Sequence, residues 1–448
     1  MARKVLLLAH DFPPMAGGGV TRPFAFAKYL PAFGYEPIVL TRGSTHGRPV
    51  DRAPLAQLPP QVTIARIHPD PEDDWEHVQR RLAWLRPLER ALGKPSGWIA
   101  DGVAWRLSSR RPSALMTRTW VKPAIALGAE LIEQHRPDVL VATGPPFGTM
   151  KAAVVLAERF DLPLIADYRD PWTYAYLWKP QSAAHERDER GWEQRVLARA
   201  ARVLVVTPTM AERMRTDYPQ FADKVELLLN GYDDDMLPGR LRPATSNRRM
   251  TIAHVGSIVD IRQPTLLLEA AGLLRERHPE IAAEMCIRFV GPSSPPLAPQ
   301  LTARGLDGLV EDIGPVSKSA SQEHMRSADL LLLYELECRL AIPGKCFEYL
   351  AAGRPILAFV TDDSDAAGFL RETNCARIVS YQPPERVVEI LIELWRSWKA
   401  KTLRADTNLE WLAQFHRREQ TGGLSRLLDE AVRQAHREPK TASLVRAS

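Results

Sequence analysis

The chain contains few cysteines and no long hydrophobic run. Only four cysteines occur among 448 residues, and none forms a C-x-x-C pair, which argues against a disulfide framework or a zinc site. The sequence predicts no membrane-spanning helix, because no stretch of about 18 apolar residues is present. The first apolar run, Val5–Ala9, is too short for a signal peptide. These absences favour a cytoplasmic globular protein with scattered buried thiols.

Basic residues concentrate in one segment. Between Trp75 and Lys122 there are ten Lys/Arg and three Asp/Glu, whereas the net charge of the whole chain is only +5. Apolar residues recur there at helical spacing, and several tryptophans accompany them. This pattern fits an amphipathic element that lies on an anionic bilayer, at the inner face of a membrane. It fits equally well an inserted helical hairpin that packs on a domain core, so both interpretations of the basic insertion, residues 70–122, stay open.

Short apolar runs alternate with helical patterns along most of the chain. Several runs are almost wholly apolar, which is typical of parallel strands buried on both faces. The alternation pauses at a segment rich in Asp, Pro, Gly, Arg and Ser, and then resumes. The predicted strands are Lys4–His10, Glu36–Arg42, Val62–Ile67, Asp138–Thr143, Pro163–Tyr168, Arg202–Thr207, Val225–Leu229, Met250–Val255, Ile287–Val290, Asp329–Tyr334, Pro355–Val360 and Ala376–Ser380.

This alternation predicts an α/β protein of two Rossmann-like, doubly wound domains that face a central cleft. The first domain would cover residues 1–235 and the second 250–405, with a linker at 236–249. Helices at 406–435 could cross back to the first domain, and we expect residues 436–448 to form a disordered tail.

Three consecutive glycines follow the first predicted strand. Gly17, Gly18 and Gly19 precede a predicted helix, where backbone N–H groups can approach an anion or a sugar hydroxyl closely. A turn that only serves packing is the alternative, but it does not need three glycines. Because the pattern is not G-x-G-x-x-G, it predicts no dinucleotide site and disfavours a dehydrogenase.

Two carboxylates and an arginine stand at the end of the fifth predicted strand. Asp167, Arg169 and Asp170 are followed by Trp172, and in a partly dry site such acids position a hydroxyl nucleophile or act as a base. The alternative is a structural Asp–Arg pair, with Asp170 capping the next segment. Both interpretations stay open for Asp167, and catalysis is favoured for Asp170.

Glycines and cations also meet at strand ends of the second predicted domain. The strand Met250–Val255 ends in Gly256 and Ser257, and Arg262 opens the next helix. Backbone donors and a cation at a helix start can hold a diphosphate. Arg262 alone is a weak signal, which strengthens if a second cation converges on the same place.

The second cation is Lys345. Pro343 suits a first helical turn, and Gly344 leaves room for a phosphate that Lys345 would neutralise. Glu348 lies three residues further on the same helix face, where it can accept from the hydroxyls of a ribose. The alternative is an exposed ion pair worth a few tenths of a kcal/mol.

Asp233, Asp234 and Asp235 form the acidic run that invites a metal interpretation. Mg²⁺ and Mn²⁺ are held by carboxylates together with substrate phosphates. The run follows a turn and has no phosphate-binding pattern nearby, so it favours a solvated turn. We predict neither a metal nor a cofactor.

Over nearly its whole length the chain resembles family 4 glycosyltransferases with the GT-B fold. It is most similar to the bacterial subgroup acting in surface-polysaccharide and lipid-linked oligosaccharide pathways. The segments that carry the resemblance are LLLAHDFPPMAGGGVTRP, ATGPPF, DYRDPW, LLNGYD, HVGS with Arg262, and PGKCFEYLAAGRPIL. The resemblance implies retention of anomeric configuration and no need for a metal.

The resemblance also implies roles for individual residues. Gly17–Gly19 would meet the acceptor and the donor phosphates, Arg262 and Lys345 the diphosphate, and Glu348 the ribose. Arg262, Lys345 and a helix N-terminus would stabilise the leaving diphosphate, and the acceptor proton would pass to a phosphate oxygen or to Asp170.

The chain departs from the family in two places: at one acid, and at DYRDPW, where many relatives place a histidine in the cleft of the first domain. The family often carries a Glu-x7-Glu pair, whose second member matches Glu348 and whose first falls on Leu340. Glu335, Glu337 or the backbone of Pro343 could substitute in contacting the donor sugar.

The expected partners are a UDP-, GDP- or dTDP-sugar, a glycan or lipid-linked acceptor and an anionic membrane surface, but no nucleic acid. Two alternatives stay open. One is a sugar-nucleotide epimerase on the same fold. The other is a non-catalytic basic protein that binds membranes or nucleic acid, against which the intact Gly344, Lys345 and Glu348 argue.

Overall fold

A computed structural model of the chain describes residues 2–43, 50–67, 87, 91, 116–175, 178–234, 247–259 and 263–437. Most of the basic insertion, most of the predicted linker, the end of the predicted tail and Arg262 therefore lie outside the described residues. The chain forms two compact units. Unit 1 comprises residues 1–228 and 421–448, and unit 2 comprises residues 229–420.

Unit 1 contains a seven-stranded parallel sheet in the order β3-β2-β1-β4-β5-β6-β7. Its central strands are almost fully buried, as their apolar sequences predict. The strand order reverses between β1 and β4, and ligands bind at the carboxyl ends of strands beside such a reversal. The strands are β1 (Arg3–Ala9), β2 (Tyr35–Arg42), β3 (Thr63–Ile67), β4 (Val139–Gly144), β5 (Leu164–Tyr168), β6 (Arg202–Val205) and β7 (Val225–Leu227).

Helices connect these strands. They are α1 (Gly18–Tyr29), α2 (Lys122–His135), α3 (Gly148–Phe160), α4 (Ala183–Arg199) and α5 (Pro208–Asp217). Ser182 and Thr207 cap α4 and α5 by accepting from backbone N–H groups three residues on. Short 3-10 turns cover Leu30–Phe33, Ala53–Gln57 and Pro219–Lys224, and a π turn at Thr117–Val121 leads into α2.

Unit 2 contains a six-stranded parallel sheet in the order β10-β9-β8-β11-β12-β13, which reverses between β8 and β11. Its strands are β8 (Met250–Val255), β9 (Met285–Val290), β10 (Val310–Gly314), β11 (Leu330–Glu335), β12 (Ile356–Val360) and β13 (Ala376–Val379). Its helices are α6 (Thr265–Arg277), α7 (Pro279–Ala283), α8 (Ala298–Ala303), α9 (Lys318–Ser327), α10 (Gly344–Ala351), α11 (Asp365–Arg371), α12 (Pro384–Lys399) and α13 (Leu409–Ala413). The predicted α/β class with two doubly wound sheets is confirmed.

The last helix, α14 (Arg417–Arg437), begins in unit 2 and continues into unit 1. At its start, Tyr232 N–H donates to Phe415 O at 3.2 Å, and Arg417 N–H donates to Tyr232 O at 2.9 Å. The backbone of Tyr232 is thus hydrogen-bonded to the residues on both sides of His416. A Cβ on Gly231 would overlap that Phe415 carbonyl oxygen, so the close approach requires glycine. Across the described ranges, no helix is long and apolar enough to cross a bilayer.

Candidate functional site

The predicted phosphate-binding residues of unit 2 lie at the N-terminus of α10, after β11. Pro343 occupies the N-cap position and offers no side-chain acceptor to the first-turn N–H groups. Gly344 follows, and a Cβ built on it would meet nothing within 4 Å. The helix therefore presents its positive end and an open space to solvent, which suits an anion.

Lys345 and Glu348 form an ion pair on the first turn of α10. Lys345 Nζ lies 2.6 Å from Glu348 Oε2, and the two side chains are 32% and 21% exposed. Burial acts to raise the pKa of the Glu348 carboxyl, but the charges of Lys345, Arg417 and Lys318 outweigh it and hold that pKa below its ordinary value. Glu348 is thus an ionised acceptor, which suits two ribose hydroxyls.

The end of β8 adjoins Lys345. A Cβ on Gly256 would lie 4.0 Å from Lys345 Cε and 3.2 Å from His254 Nε2, so the lysine stem crosses close above this glycine. Ser257, the next residue, is exposed. Gly256, Ser257, Gly344, Lys345 and Glu348 are therefore brought together by the adjacency of β8 and β11, as predicted from their strand ends.

Two residues that sequence reasoning missed fix this arrangement. Tyr349 is buried in α10, and its hydroxyl accepts from Val255 N–H at 2.9 Å, which ties the helix to the end of β8. His254 Nδ1 lies 3.0 Å from Leu332 O. Because a carbonyl only accepts, that nitrogen carries the proton and joins β8 to β11. Tyr349 stands next to Glu348 in sequence, and a histidine inside an apolar strand was the available signal for His254.

The acid missing at Leu340 has two nearby substitutes with different surroundings. Glu335 ends β11 and is only 3% exposed. Glu337 is exposed and accepts from Tyr381 Oη at 3.2 Å. Glu337 is therefore the more accessible of the two carboxylates.

In unit 1 the three consecutive glycines differ in backbone conformation and in the space around them. Gly17 has a φ of 142°, which favours glycine. A Cβ on Gly19 would lie 2.9 Å from Arg169 Nη1, whereas one on Gly18 would meet nothing within 4 Å. Gly17 thus serves the turn and Gly19 the packing, whereas the space beside Gly18, like that beside Gly17, is open.

Arg169 holds the glycine loop in place. Its guanidinium donates to Gly19 O at 2.6 Å and to Pro145 O, which joins the loop to the end of β4. Burial lowers the pKa of Arg169, and the charges of Asp167, Asp170 and Asp11 act against that shift. Arg169 was predicted on the acceptor side, and its contacts assign it a positioning role.

Asp167 and Trp172, also predicted on the acceptor side, are interior residues. Asp167 is fully buried, accepts from Arg22 Nη2 at 2.8 Å and accepts from Thr143 Oγ1 at 2.8 Å. Trp172 is 2% exposed and stacks on Phe147 with 4.7 Å between ring centroids. The structural interpretation of Asp167 is therefore favoured, although its partner is Arg22, not Arg169.

Asp170, the predicted base, is exposed just beyond β5. It is thus the carboxylate of this segment that a ligand in solution can reach.

The acidic run after β7 lies beside His416, a residue distant from it in sequence. Asp233, Asp234 and His416 each place a ligand atom within 4.8 Å of the others, and His416 Nε2 lies 3.0 Å from Asp234 Oδ1. Asp235 lies outside the described residues. The contact with His416 gives Asp234 a structural role, Asp233 Oδ1 accepts from Asp234 N–H at 3.0 Å, and the absence of a metal requirement stays a prediction.

Comparisons with known proteins point to one family. Residues 16–236 match the family model described as Glycosyltransferase Family 4. The chain is 27% identical, over 38% of its length, to D-inositol 3-phosphate glycosyltransferase of Paenarthrobacter aurescens strain TC1 and covers 43% of that protein. The chain spans about two fifths of the length of the first curated relatives it matches.

Two solved structures resemble almost the whole chain. Sucrose-phosphate synthase from Thermosynechococcus elongatus has a TM-score of 0.65 at 12% identity, with 96% of this chain and 100% of that chain covered. Anabaena HepE, solved with UDP-glucose, has a TM-score of 0.59 at 14% identity, with 96% and 100% covered. At these identities the likeness shows the fold alone, which is the two-domain GT-B fold.

Proposed function

Because residues 16–236 match the family model of Glycosyltransferase Family 4, we propose that the chain is a member of that family and transfers a sugar from a nucleoside diphosphate donor to a hydroxyl acceptor. We further propose that the transfer retains anomeric configuration, needs no metal and serves bacterial cell-surface glycan synthesis. The observation that carries the proposal is the Lys345–Glu348 pair on the first turn of α10, beside Gly256 and the open space at Gly344.

The donor would bind with its diphosphate against this helix end. Lys345 and the first-turn N–H groups neutralise the diphosphate. The sequence predicts that Arg262 provides a second cation there. Phosphate oxygens would compete with Glu348 for Lys345, which frees Glu348 to accept from the ribose. UDP is the first nucleotide to test, because HepE of the same fold was solved with UDP-glucose.

The chemical step would break the bond between the sugar C1 and the diphosphate oxygen. The electron pair leaves with the nucleotide, where Lys345 and the helix end stabilise the growing charge. The acceptor oxygen forms the new bond to C1 on the same face that the diphosphate leaves, which retains the anomeric configuration, and its proton passes to a leaving phosphate oxygen or to a base of unit 1. Asp170 is the base predicted from sequence.

Product analysis tests this function against its nearest rival. Wild-type protein is incubated with UDP-, GDP- and dTDP-sugars, with and without glycan and lipid-linked acceptors, and the products are identified by mass spectrometry and NMR. A transferase releases nucleoside diphosphate and a glycoside of unchanged anomeric configuration. An isomerised sugar nucleotide, formed without acceptor, would instead establish an epimerase.

The acceptor proposal includes contact with an anionic membrane through the basic insertion at 70–122. Arginines and tryptophans of an amphipathic element favour such a surface. Co-sedimentation with vesicles should rise with anionic lipid and fall with salt. Binding that depends on neither would contradict membrane contact and leave a soluble glycan as the acceptor.

A further inference from the structure

A histidine–carboxylate pair lies at the carboxyl end of β1, where the strand order of unit 1 reverses. His10 Nδ1 is 2.7 Å from Asp11 Oδ1, and the two side chains are 9% and 19% exposed. The His10 ring also packs edge-on against Trp120, with 4.8 Å between centroids. The ring is therefore fixed by a polar contact on one edge and by an aromatic contact on another side.

The contact with Asp11 determines which ring nitrogen is available for chemistry. An ionised carboxylate only accepts, so His10 Nδ1 carries the hydrogen. In the neutral imidazole, Nε2 then keeps its lone pair and can take a proton. A base whose second nitrogen is oriented by a carboxylate is the arrangement by which hydroxyl nucleophiles are activated.

Asp11 also lies beside the glycine loop. Its Oδ2 lies 3.4 Å from the point that a Cβ on Gly19 would occupy, and Arg169 Nη1 lies 2.9 Å from the same point. Asp11 thus contacts the His10 ring, lies against the glycine loop and is close enough to Arg169 for its charge to act on the pKa of that guanidinium. The pair is built into the part of unit 1 where the space beside Gly17 and Gly18 is open.

We propose that His10, oriented by Asp11, is the base that takes the proton of the acceptor hydroxyl, in place of Asp170. This proposal rests on the proposed sugar transfer. The acceptor oxygen bonds to C1 of the sugar, the bond from C1 to the diphosphate oxygen breaks, and its electron pair leaves with the nucleotide. The acceptor proton moves to His10 Nε2 and from there to water. Asp11 acts as a positioning residue.

The test compares His10→Ala and His10→Gln with wild type, and uses His436→Gln, at an exposed position near the end of α14, as the matched control. Loss of a general base should lower kcat by about 10²–10⁴-fold. Binding of the nucleoside diphosphate should be unchanged, because Lys345 and Glu348 are intact. Added imidazole should restore part of the His10→Ala rate, and Asp11→Asn should lower kcat without weakening nucleotide binding.

Three outcomes would overturn the proposal. Wild-type kcat in His10→Gln would show that no proton passes through His10. A folded His10→Ala variant that imidazole does not rescue would show that the ring only packs against Trp120. A wild-type protein that transfers sugar from no donor would overturn the proposed function as well, and this result is distinct because it appears before any substitution is made.

Discussion

Gly344 provides a test of the nucleotide site in which stability and binding should change in opposite directions. Gly344 begins α10, its φ lies in the ordinary negative range, and a Cβ there would meet nothing within 4 Å. Replacing a helical glycine by alanine stabilises a protein by up to about 1 kcal/mol, because the unfolded chain loses freedom. Gly344→Ala should therefore unfold at the same or a higher urea concentration than wild type.

The same methyl group occupies the space that a phosphate would need. Forcing a methyl into a filled site costs about 1–3 kcal/mol, which corresponds to roughly 5- to 150-fold weaker nucleotide binding. Isothermal titration calorimetry with UDP, GDP and dTDP measures the loss directly. Nucleotide affinity equal to wild type in a stabilised Gly344→Ala protein would refute the position of the diphosphate.

Gly368 in α11 provides the matched control. It is also helical, and a Cβ on it would likewise meet nothing within 4 Å. Gly368→Ala should stabilise unit 2 by a similar amount and leave nucleotide affinity unchanged. Equal losses of affinity in both variants would assign the effect to helix rigidity instead of to the phosphate site.

Further predictions concern charged pairs. Lys345→Ala should lower donor turnover by at least about 10²-fold because the leaving diphosphate loses a cation, whereas Lys399→Ala, which breaks an exposed ion pair, should leave steady-state rates unchanged. Asp167→Asn should destabilise unit 1 by about 3–5 kcal/mol in urea unfolding, because Arg22 stays buried without its counter-charge. The folded structure lowers the pKa of Glu348 from its ordinary value of 4.5. The charge of Glu348 therefore contributes stability above about pH 4.5, and this contribution is lost as the pH falls through the lower pKa of the folded state. The difference in unfolding free energy between wild type and Glu348→Gln should accordingly shrink on acidification.

The fold could be predicted from the sequence because its strands are buried on both faces and read as apolar runs. Every predicted run is a strand in the structure, with ends displaced by a few residues. The strand β10 (Val310–Gly314) was missed because Glu311 and Asp312 interrupt its apolar pattern. Among the described strands it lies at the edge of its sheet beside β9. Glu311 accepts from Arg288 of β9 at 2.9 Å, so this acid is satisfied across strands.

The candidate site was predictable where its residues are close in sequence. Lys345 and Glu348 are three apart, so helical periodicity alone places them on one face. The pairing of Asp167 with Arg22 could not be predicted, because 145 residues separate them. Asp167 lies in β5 and Arg22 in α1, and the sheet order β1-β4-β5 brings the two elements together. The motif also contains two similar acids, and only the end of β5 at Tyr168 separates buried Asp167 from exposed Asp170.

The central claim is that unit 2 binds a nucleoside diphosphate through Lys345. A thermal-shift panel of UDP-, GDP- and dTDP-sugars against wild type and Lys345→Ala tests it most directly. A ligand at 100 times its Kd stabilises the folded state by about 2.7 kcal/mol, so one donor class should raise the Tm of wild type by several degrees and leave that of Lys345→Ala nearly unchanged. No shift with any donor, or equal shifts in both proteins, would contradict the account.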